Sequence, residues 1–338
     1  MKRLLCLLMA ALCLTGCAKA PEQKQYSATF LTLFDTVTTV VGRAATEEEF
    51  QAKAQVVKDT LETYHRLFDI YNDYEGIANL NTVNDQAGIA PVTVDPEIIA
   101  LLKDCKAYYE TTAGMVNVAM GSVLFLWHEA RNHGFNDPAN AALPDGDALK
   151  EAALHTDFSK VILDEAASTV YLEDPDMRLD VGAVAKGWAA QRVSEIAPEG
   201  LLISVGGNVC ATGPKDSQGT PWVVGVQDPK GGDAYLHTLY LTEGSIVTSG
   251  DYQRAYMVDG QLYHHIIDPH TLYPGTLWRA VTVVCEDSGL ADALSTALFL
   301  LPQADGQALL DKCGAQAMWV AADGSIAYSP GFSAFVRT

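Results

Sequence analysis

Strand-like segments in this 338-residue chain come in runs and do not alternate one for one with helices. The stretch from Leu201 to Leu241 holds several β-like pieces divided by Gly-rich turns, among them Gly206-Gly207-Asn208 and Lys230-Gly231-Gly232-Asp233. Two more strands are expected at Tyr252 to Val258 and Tyr263 to Ile267, separated by Asp259-Gly260, a dipeptide suited to a two-residue hairpin turn. Short β-like runs broken by Asp and Pro occupy Val161 to Asp180, and Ser27 to Val41 reads as a strand or hairpin arm. A parallel doubly wound sheet needs βαβ alternation, so this grouping predicts the α+β class.

Helices are expected where caps precede apolar periodicity. Thr46 caps one that opens with Glu47-Glu48-Glu49, acidic where the helix dipole favours anions, and runs to Phe68. Asp95-Pro96 opens a second, through Ile98, Leu101, Leu102 and Tyr108. Ala183 to Ile196 and Ser288 to Leu301 are two more, and the C-terminal end returns to strand. Between them, Asp69 to Pro91 and Asn132 to Pro144 have the Asn, Asp, Gly and Pro content of loops.

The N-terminal residues read as an export signal. Lys2 and Arg3 precede an apolar stretch, Leu4 to Leu14, too short to span a bilayer. It ends in Leu14-Thr15-Gly16-Cys17, which resembles the lipobox of bacterial lipoproteins. Residues 1–16 are therefore expected to be removed, Cys17 to carry lipid at the extracytoplasmic face of the cell membrane, and residues 17–25 to form a tether. The alternatives are an uncleaved anchor or an ordinary secretory signal.

Without Lys2 and Arg3 the balance is 20 basic against 42 acidic residues, a net charge of −22. Attraction to nucleic acid through the overall field is excluded, and an anionic ligand needs local cations or a metal. Hydrophobic residues at 49% and charged residues at 19% exclude a disordered chain. Cys105, Cys210, Cys285 and Cys313 lack a C-x-x-C pairing, so no zinc site is indicated, while one disulfide stays open.

Four clusters carry chemistry. In Asp180-Val181-Gly182-Ala183-Val184-Ala185-Lys186 a strand end turns through Gly into a helix, exposing N–H groups beside a cation; this suits a diphosphate, and equally a plain connection with a solvated Lys. Thr248-Ser249-Gly250-Asp251 is followed by His264-His265-Ile266-Ile267-Asp268-Pro269. Were this a strand, only one of the two His could face a given site, and that one would be a base with an acidic neighbour or a hydrogen-bonded structural residue. Asp292 and Thr296 share one helix face and suit a hard cation such as Mg²⁺, or else a cap and a back-bonded hydroxyl. Gly206-Gly207 permits close approach of a ligand or makes a tight turn.

Taken in order, and with Phe34-Asp35-Thr36-Val37 and the loop around Tyr71, Tyr74 and Asn81, these clusters resemble the ApbE family, the FAD:protein FMN transferases. The resemblance implies one unit over residues 26–338, with a mixed, largely antiparallel sheet, flanking helices and FAD in an interlobe cleft. It implies Mg²⁺ on the diphosphate, held by Asp292, Thr296 and a backbone carbonyl, Ala183 foremost. Tyr71 or Tyr74 would lie against a FAD ring, and Phe34, Thr36, Asp180, Lys186, Gly206, Gly207, Thr248 and His265 would line the nucleotide site. The implied reaction is attack by a Thr or Ser hydroxyl of an exported acceptor on the FMN phosphorus, with AMP leaving. His265 would be the base, with Asp268 orienting it or contributing to the metal environment.

Acceptors of this family carry an Asp-x-x-Ser/Thr-small-Ala-Ser/Thr motif and include electron-transfer flavoproteins. The nearest stretch here, Asp292 to Leu298, lacks the final hydroxyl residue, so a separate acceptor is expected. Relatives continue Asp-Pro-x-Thr-Gly where this chain has Asp268-Pro269-His270-Thr271-Leu272, and a differently shaped loop is expected because Leu takes positive φ at a cost. The competing functions are a FAD diphosphatase and a noncatalytic flavin-binding lipoprotein. Neither G-x-G-x-x-G after a strand nor a P-loop is present.

Overall fold

The computed structural model describes residues 22–232 and 234–337, so the expected signal and Cys17 lie outside the described residues. The first helix, α1 (Glu47–Phe68), begins where its cap dictates: Thr46 Oγ1 accepts the Glu49 N–H at 3.2 Å, and Glu49 Oε2 accepts the Ala45 N–H. Its buried face carries Phe50, Ala54, Val57, Leu61, Tyr64, Leu67 and Phe68, which is helical spacing.

That face lies on an eight-stranded sheet formed by β1 (Lys24–Leu33), β2 (Thr36–Ala44), β6 (Leu201–Val205), β7 (Asn208–Ala211), β10 (Gly244–Gly250), β13 (Trp278–Cys285), β14 (Gln316–Ala321) and β15 (Ile326–Tyr328), in that order. Each neighbouring pair is antiparallel. Among the described residues the one parallel pairing is an isolated bridge between Met120 and Arg178. The α+β class holds, with a large antiparallel sheet.

Strand alternation sends the two faces of this sheet to different cores. Val247, Val281 and Val283 face the helices α1, α6 (Ala185–Ile196) and α7 (Ser288–Leu300). Ile246, Ala280 and Val284 face the ribbon of β8 (Trp222–Gln227) and β9 (Tyr235–Leu241), whose Trp222, Val224 and Leu239 close the second core. A third cluster joins α4 (Gly121–Asn136) and α5 (Gly146–Ala152) to the hairpin of β11 (Tyr256–Val258) and β12 (Gln261–Tyr263) through Trp127, Leu149, Tyr256 and Val258. The remaining helices are α2 (Leu80–Asp85), α3 (Pro96–Thr111) and α8 (Gln303–Cys313), and β3 (Val92–Thr93), β4 (Val161–Asp164) and β5 (Thr169–Leu172) form a small sheet.

Several expectations need correcting. The Asp69–Pro91 segment contains α2, opened by a reciprocal Asn79–Thr82 capping box that the polar composition conceals. Helix α4 runs on to Asn136, into the segment read as loop. The second hairpin strand stops at Tyr263, because His264 Nδ1 accepts the Ile266 N–H and turns the chain. Leu272 takes φ 64, the conformation expected of Gly there; Leu272 N–H bonds the Asp268 carbonyl at 2.8 Å and its own carbonyl accepts Trp127 Nε1 at 2.9 Å. Those contacts offset a strain of about 1–2 kcal/mol. All four described cysteines are free thiols.

Helices α6 and α7 touch at Gly187, where a Cβ would lie 2.3 Å from the Ser288 carbonyl oxygen and 2.4 Å from Asp292 Cβ. Both neighbours are parts of a fully packed helix and cannot yield cheaply. Gly187→Ala is expected to cost about 3 kcal/mol, read as a lower urea midpoint at constant slope.

Candidate active site

The turn that enters α6 is fixed from both ends. Asn84 clamps Leu179, accepting its N–H at 2.7 Å and donating to its carbonyl at 3.0 Å, and Asp180 N–H bonds the Val118 carbonyl. Asp180 Oδ1 then accepts the Gly182 N–H at 2.8 Å. Gly187 stands in the first turn of the helix, where an N–H has no intrahelical acceptor, and it donates to Asp292 Oδ2 at 2.9 Å. Among the described residues no backbone N–H takes the Gly182 or Ala183 carbonyl. Lys186 Nζ lies 3.2 Å from the Gly182 carbonyl oxygen and 3.6 Å from Asp292 Oδ2.

Asp292 is 3% exposed, and Thr296, one turn further along α7, reaches the lining of a cleft of about 1400 Å³ including its mouth. A buried carboxylate, two carbonyls without a backbone donor and a hydroxyl make an oxygen-only donor set suited to a hard cation, and the Gly182 carbonyl and Asp292 already hold the Lys186 ammonium. Another group, His155, Asp174 and Asp176, brings its ligand atoms within 4.8 Å. There, Lys160 at 2.7 Å and His155 at 2.9 Å already partner Asp174, and none of the group lines the cleft.

One cleft wall comes from the main core through Phe68, Val181 and Ala185, the other from the third cluster through Met120, Trp127 and Tyr256. Phe34 and Asp35, with φ 52 and 51, turn the first hairpin into the cleft, and Phe34 N–H bonds His65 Nδ1 at 3.3 Å. Tyr71 stacks on His128 with centroids 4.6 Å apart, its hydroxyl 3.2 Å from His128 Nδ1. Asn132 approaches His128 Nε2 and Arg131 approaches Nδ1, both at 2.8 Å. Burial, then the charge of Arg131, holds His128 below its ordinary value. Tyr74 instead donates to Asp69 Oδ2 at 2.8 Å and is absent from the lining.

Of the residues expected to meet at one site, Phe34, Tyr71, Asp180, Ala183, Lys186, His265 and Thr296 line the cleft, with Asp292 directly behind Lys186. Others do not. Thr248 lies on the ribbon side of the sheet, its hydroxyl 2.9 Å from that of its cross-strand partner Thr282; its neighbour Ser249 faces the helices and bonds Ser295 at 2.7 Å. Gly206 and Gly207 form the β6–β7 turn, where a Cβ on Gly206 would meet Thr36 Oγ1 at 2.6 Å. That pair and Thr36 stand behind the Phe34–Asp35 turn, outside the lining. Asp268 does not orient His265: Asp268 Oδ1 accepts the His270 N–H at 2.7 Å, and His265 Nδ1 lies 3.1 Å from the Gln253 carbonyl oxygen. His264 is pinned separately, to the Gly275 carbonyl at 2.8 Å and edge-on to Phe299.

Sequence reasoning missed His65, His128, Arg131, Arg254 and Tyr256, all in the lining. His128, Arg131 and Asn132 stand at helical spacing after Trp127, and that clustering was the available signal.

The ApbE family model matches residues 34–319. The chain is 34% identical over 350 residues to the FAD:protein FMN transferase of Treponema pallidum (strain Nichols), covering 98% of this chain and 94% of that protein. It is 33% identical over 258 residues to a FAD:protein FMN transferase of Klebsiella pneumoniae (strain 342), covering 72% and 77%. The crystal structure of the ApbE protein from Thermotoga maritima superposes with a TM-score of 0.82 at 31% identity, over 93% of this chain and 100% of that one.

Burial, then the charges of Arg254, Lys186, His264 and Arg131, pushes His265 from its ordinary 6.5 down to about 3. Between those values protons bind the unfolded chain and not the folded one, so stability rises with pH through this window and is lost as pH falls toward 3. His265→Gln removes this dependence. Denaturation titrations should show the stability lost between about pH 7 and about pH 5 shrinking by up to about 2 kcal/mol.

Proposed function

The chain belongs to the ApbE family, and on that basis we infer that it is an FAD:protein FMN transferase, acting on a Thr or Ser hydroxyl of an acceptor protein. The observation that carries this reading is the pairing, in one cleft, of an oxygen-lined cation position at Asp292, Thr296 and Ala183 with a neutral imidazole at His265. Mg²⁺ held by those groups would neutralise charge on the diphosphate as the bond to AMP breaks.

The chain's own residues do the rest. With Nδ1–H donating to the Gln253 carbonyl, His265 keeps its Nε2 lone pair free to accept a proton. The acceptor oxygen bonds to the FMN phosphorus, its proton passes to Nε2, and the phosphorus–oxygen bond to AMP breaks with its electron pair leaving on AMP. In the resting cleft burial, and then the surrounding cations, make His265 a weak base. A diphosphate bound beside Lys186 opposes that field and raises the proton affinity of the imidazole when substrate is in place. Tyr71, stiffened by its stack on His128, offers a flat surface for a FAD ring.

We further propose that Cys17 carries lipid and holds the enzyme at the extracytoplasmic face of the cell membrane, where it modifies exported electron-transfer flavoproteins. The support is Lys2, Arg3 and the apolar run ending in Leu14-Thr15-Gly16-Cys17. Among the described residues no helix is long and apolar enough to cross a membrane.

Incubating the protein with FAD, Mg²⁺ and an acceptor should yield a fluorescent flavin band on a denaturing gel. AMP release without that band would instead mark a diphosphatase, and neither product a binder. His265→Ala should keep FAD affinity within about twofold while transfer falls by roughly 10²–10⁴, the loss expected on removing a general base. Transfer at the parent rate would remove His265 from that role.

A further inference from the structure

The eight-stranded sheet ends in two unlike edges. At one, β15 has three residues, too few to give another chain much to pair with; at the other, β1 runs for ten. From Gln25 to Leu33 this edge strand holds no Pro and no charged residue, the common guards of an open edge. Its register shift falls between Leu31 and Leu33, where the chain is already turning toward Phe34 and Asp35 in the cleft.

The register shows which backbone groups the edge leaves open. Gly206 N–H bonds the Val37 carbonyl, so Val37 directs its backbone groups toward β6. Along an antiparallel strand that direction alternates. Thr38, Val40 and Gly42 therefore turn to β1, opposite Phe30, Ala28 and Tyr26. Gln25, Ser27, Thr29 and Leu31 keep their N–H and C=O groups on the outer side, where among the described residues no strand or loop pairs with them. Side chains follow the same parity: Tyr26, Ala28 and Phe30 pack on the main core, and the outward row is exposed. Its apolar part lies at the cleft end, where Leu31 and its cross-strand partner Val37 are 67% and 51% exposed.

Resting on the transferase reading, we propose that the outer edge of β1 docks the acceptor protein, adding an extended segment next to the modified hydroxyl as one more strand of the sheet. Main-chain hydrogen bonds supply affinity, and Leu31 with Val37 receives an apolar side chain of that segment. Continuity with the cleft favours this occupant. Leu31 stands three residues before Phe34, a span of about 10 Å, and Phe34 and Asp35 line the cleft. A segment leaving the edge there enters the space in which its hydroxyl meets the FMN phosphorus. The chain preceding β1 joins it at Lys24, the end remote from the cleft. A second copy of this protein matches the edge less well, because antiparallel self-pairing over the whole row sets Leu31 of each copy against a polar Gln25.

The test uses two synthetic peptides carrying the acceptor motif of the family, flanked on each side by eight residues of alternating Val and Lys. They differ only in that the second has its flanking amides N-methylated. FMN transfer is measured with the parent protein, Thr29→Pro and Thr29→Val, with FAD affinity by flavin fluorescence as the control for folding. Pro at position 29 removes an outward N–H and leaves the ladder to β2 intact. On the parent protein and Thr29→Val the methylated peptide should show a KM at least about tenfold higher at similar kcat, the effect of losing two ordinary hydrogen bonds. On Thr29→Pro both peptides should share the raised KM while FAD affinity is kept.

Equal KM values for the two peptides on the parent protein would overturn the docking edge. So would a difference between peptides that persists on Thr29→Pro, or a parent dimer that this substitution dissociates with the peptide KM unmoved, which would give the edge to a second copy. No transfer to either peptide, with AMP still released, would remove the transferase reading and the docking edge with it.

Discussion

The hydrogen bond from Gly187 N–H to Asp292 Oδ2 fixes the geometry on which the site depends. It requires α6 and α7 to approach until no Cβ fits between them. It also satisfies a first-turn N–H that has no acceptor within the helix, and beside it the Ala183 carbonyl, which no backbone N–H takes among the described residues, lines the cleft. One contact thus sets the helix spacing and holds the buried carboxylate beside the oxygen set. Core packing around it, from Leu294, Leu298 and Trp188, is what makes the arrangement rigid.

Electrostatics explains the rest of the cleft. The overall field repels anions, so positive charge is concentrated locally in Lys186, Arg131 and Arg254, with His265 among them. The imidazole is kept neutral by its neighbours as well as by burial. A charged base would need to lose a proton before acting; a neutral one is ready, and the incoming diphosphate supplies the change in field that strengthens it.

Much of the frame was legible because local signals agreed with tertiary structure. The Thr46 and Asp95 caps and the Asp259-Gly260 hairpin each mark an element boundary through short-range hydrogen bonds or backbone geometry. Short α2 was hidden because its polar residues serve a capping box. Thr248 was misplaced because strand parity, and not motif proximity, decides which face a residue meets; Ser249 takes the helix side. Asp268 looked like a partner for His265 by nearness in sequence, yet its carboxylate is spent on its own turn. Arg254, only three residues past the Thr248–Asp251 cluster but on an irregular loop, offered no pattern to read.

The sharing of Asp292 Oδ2 between an amide N–H and an ammonium has a consequence for how that residue is probed. An Asn there keeps the size, and with its single oxygen in the Oδ2 position it still accepts from both Gly187 and Lys186 while its NH₂ group takes the place of Oδ1. The substitution thus keeps the helix contact and removes the negative charge beside the lysine, whether or not any ion is bound. The carboxylate is a structural acceptor first, and its part in holding a metal becomes separable only when affinity for the ion is measured apart from the stability of the helix pair.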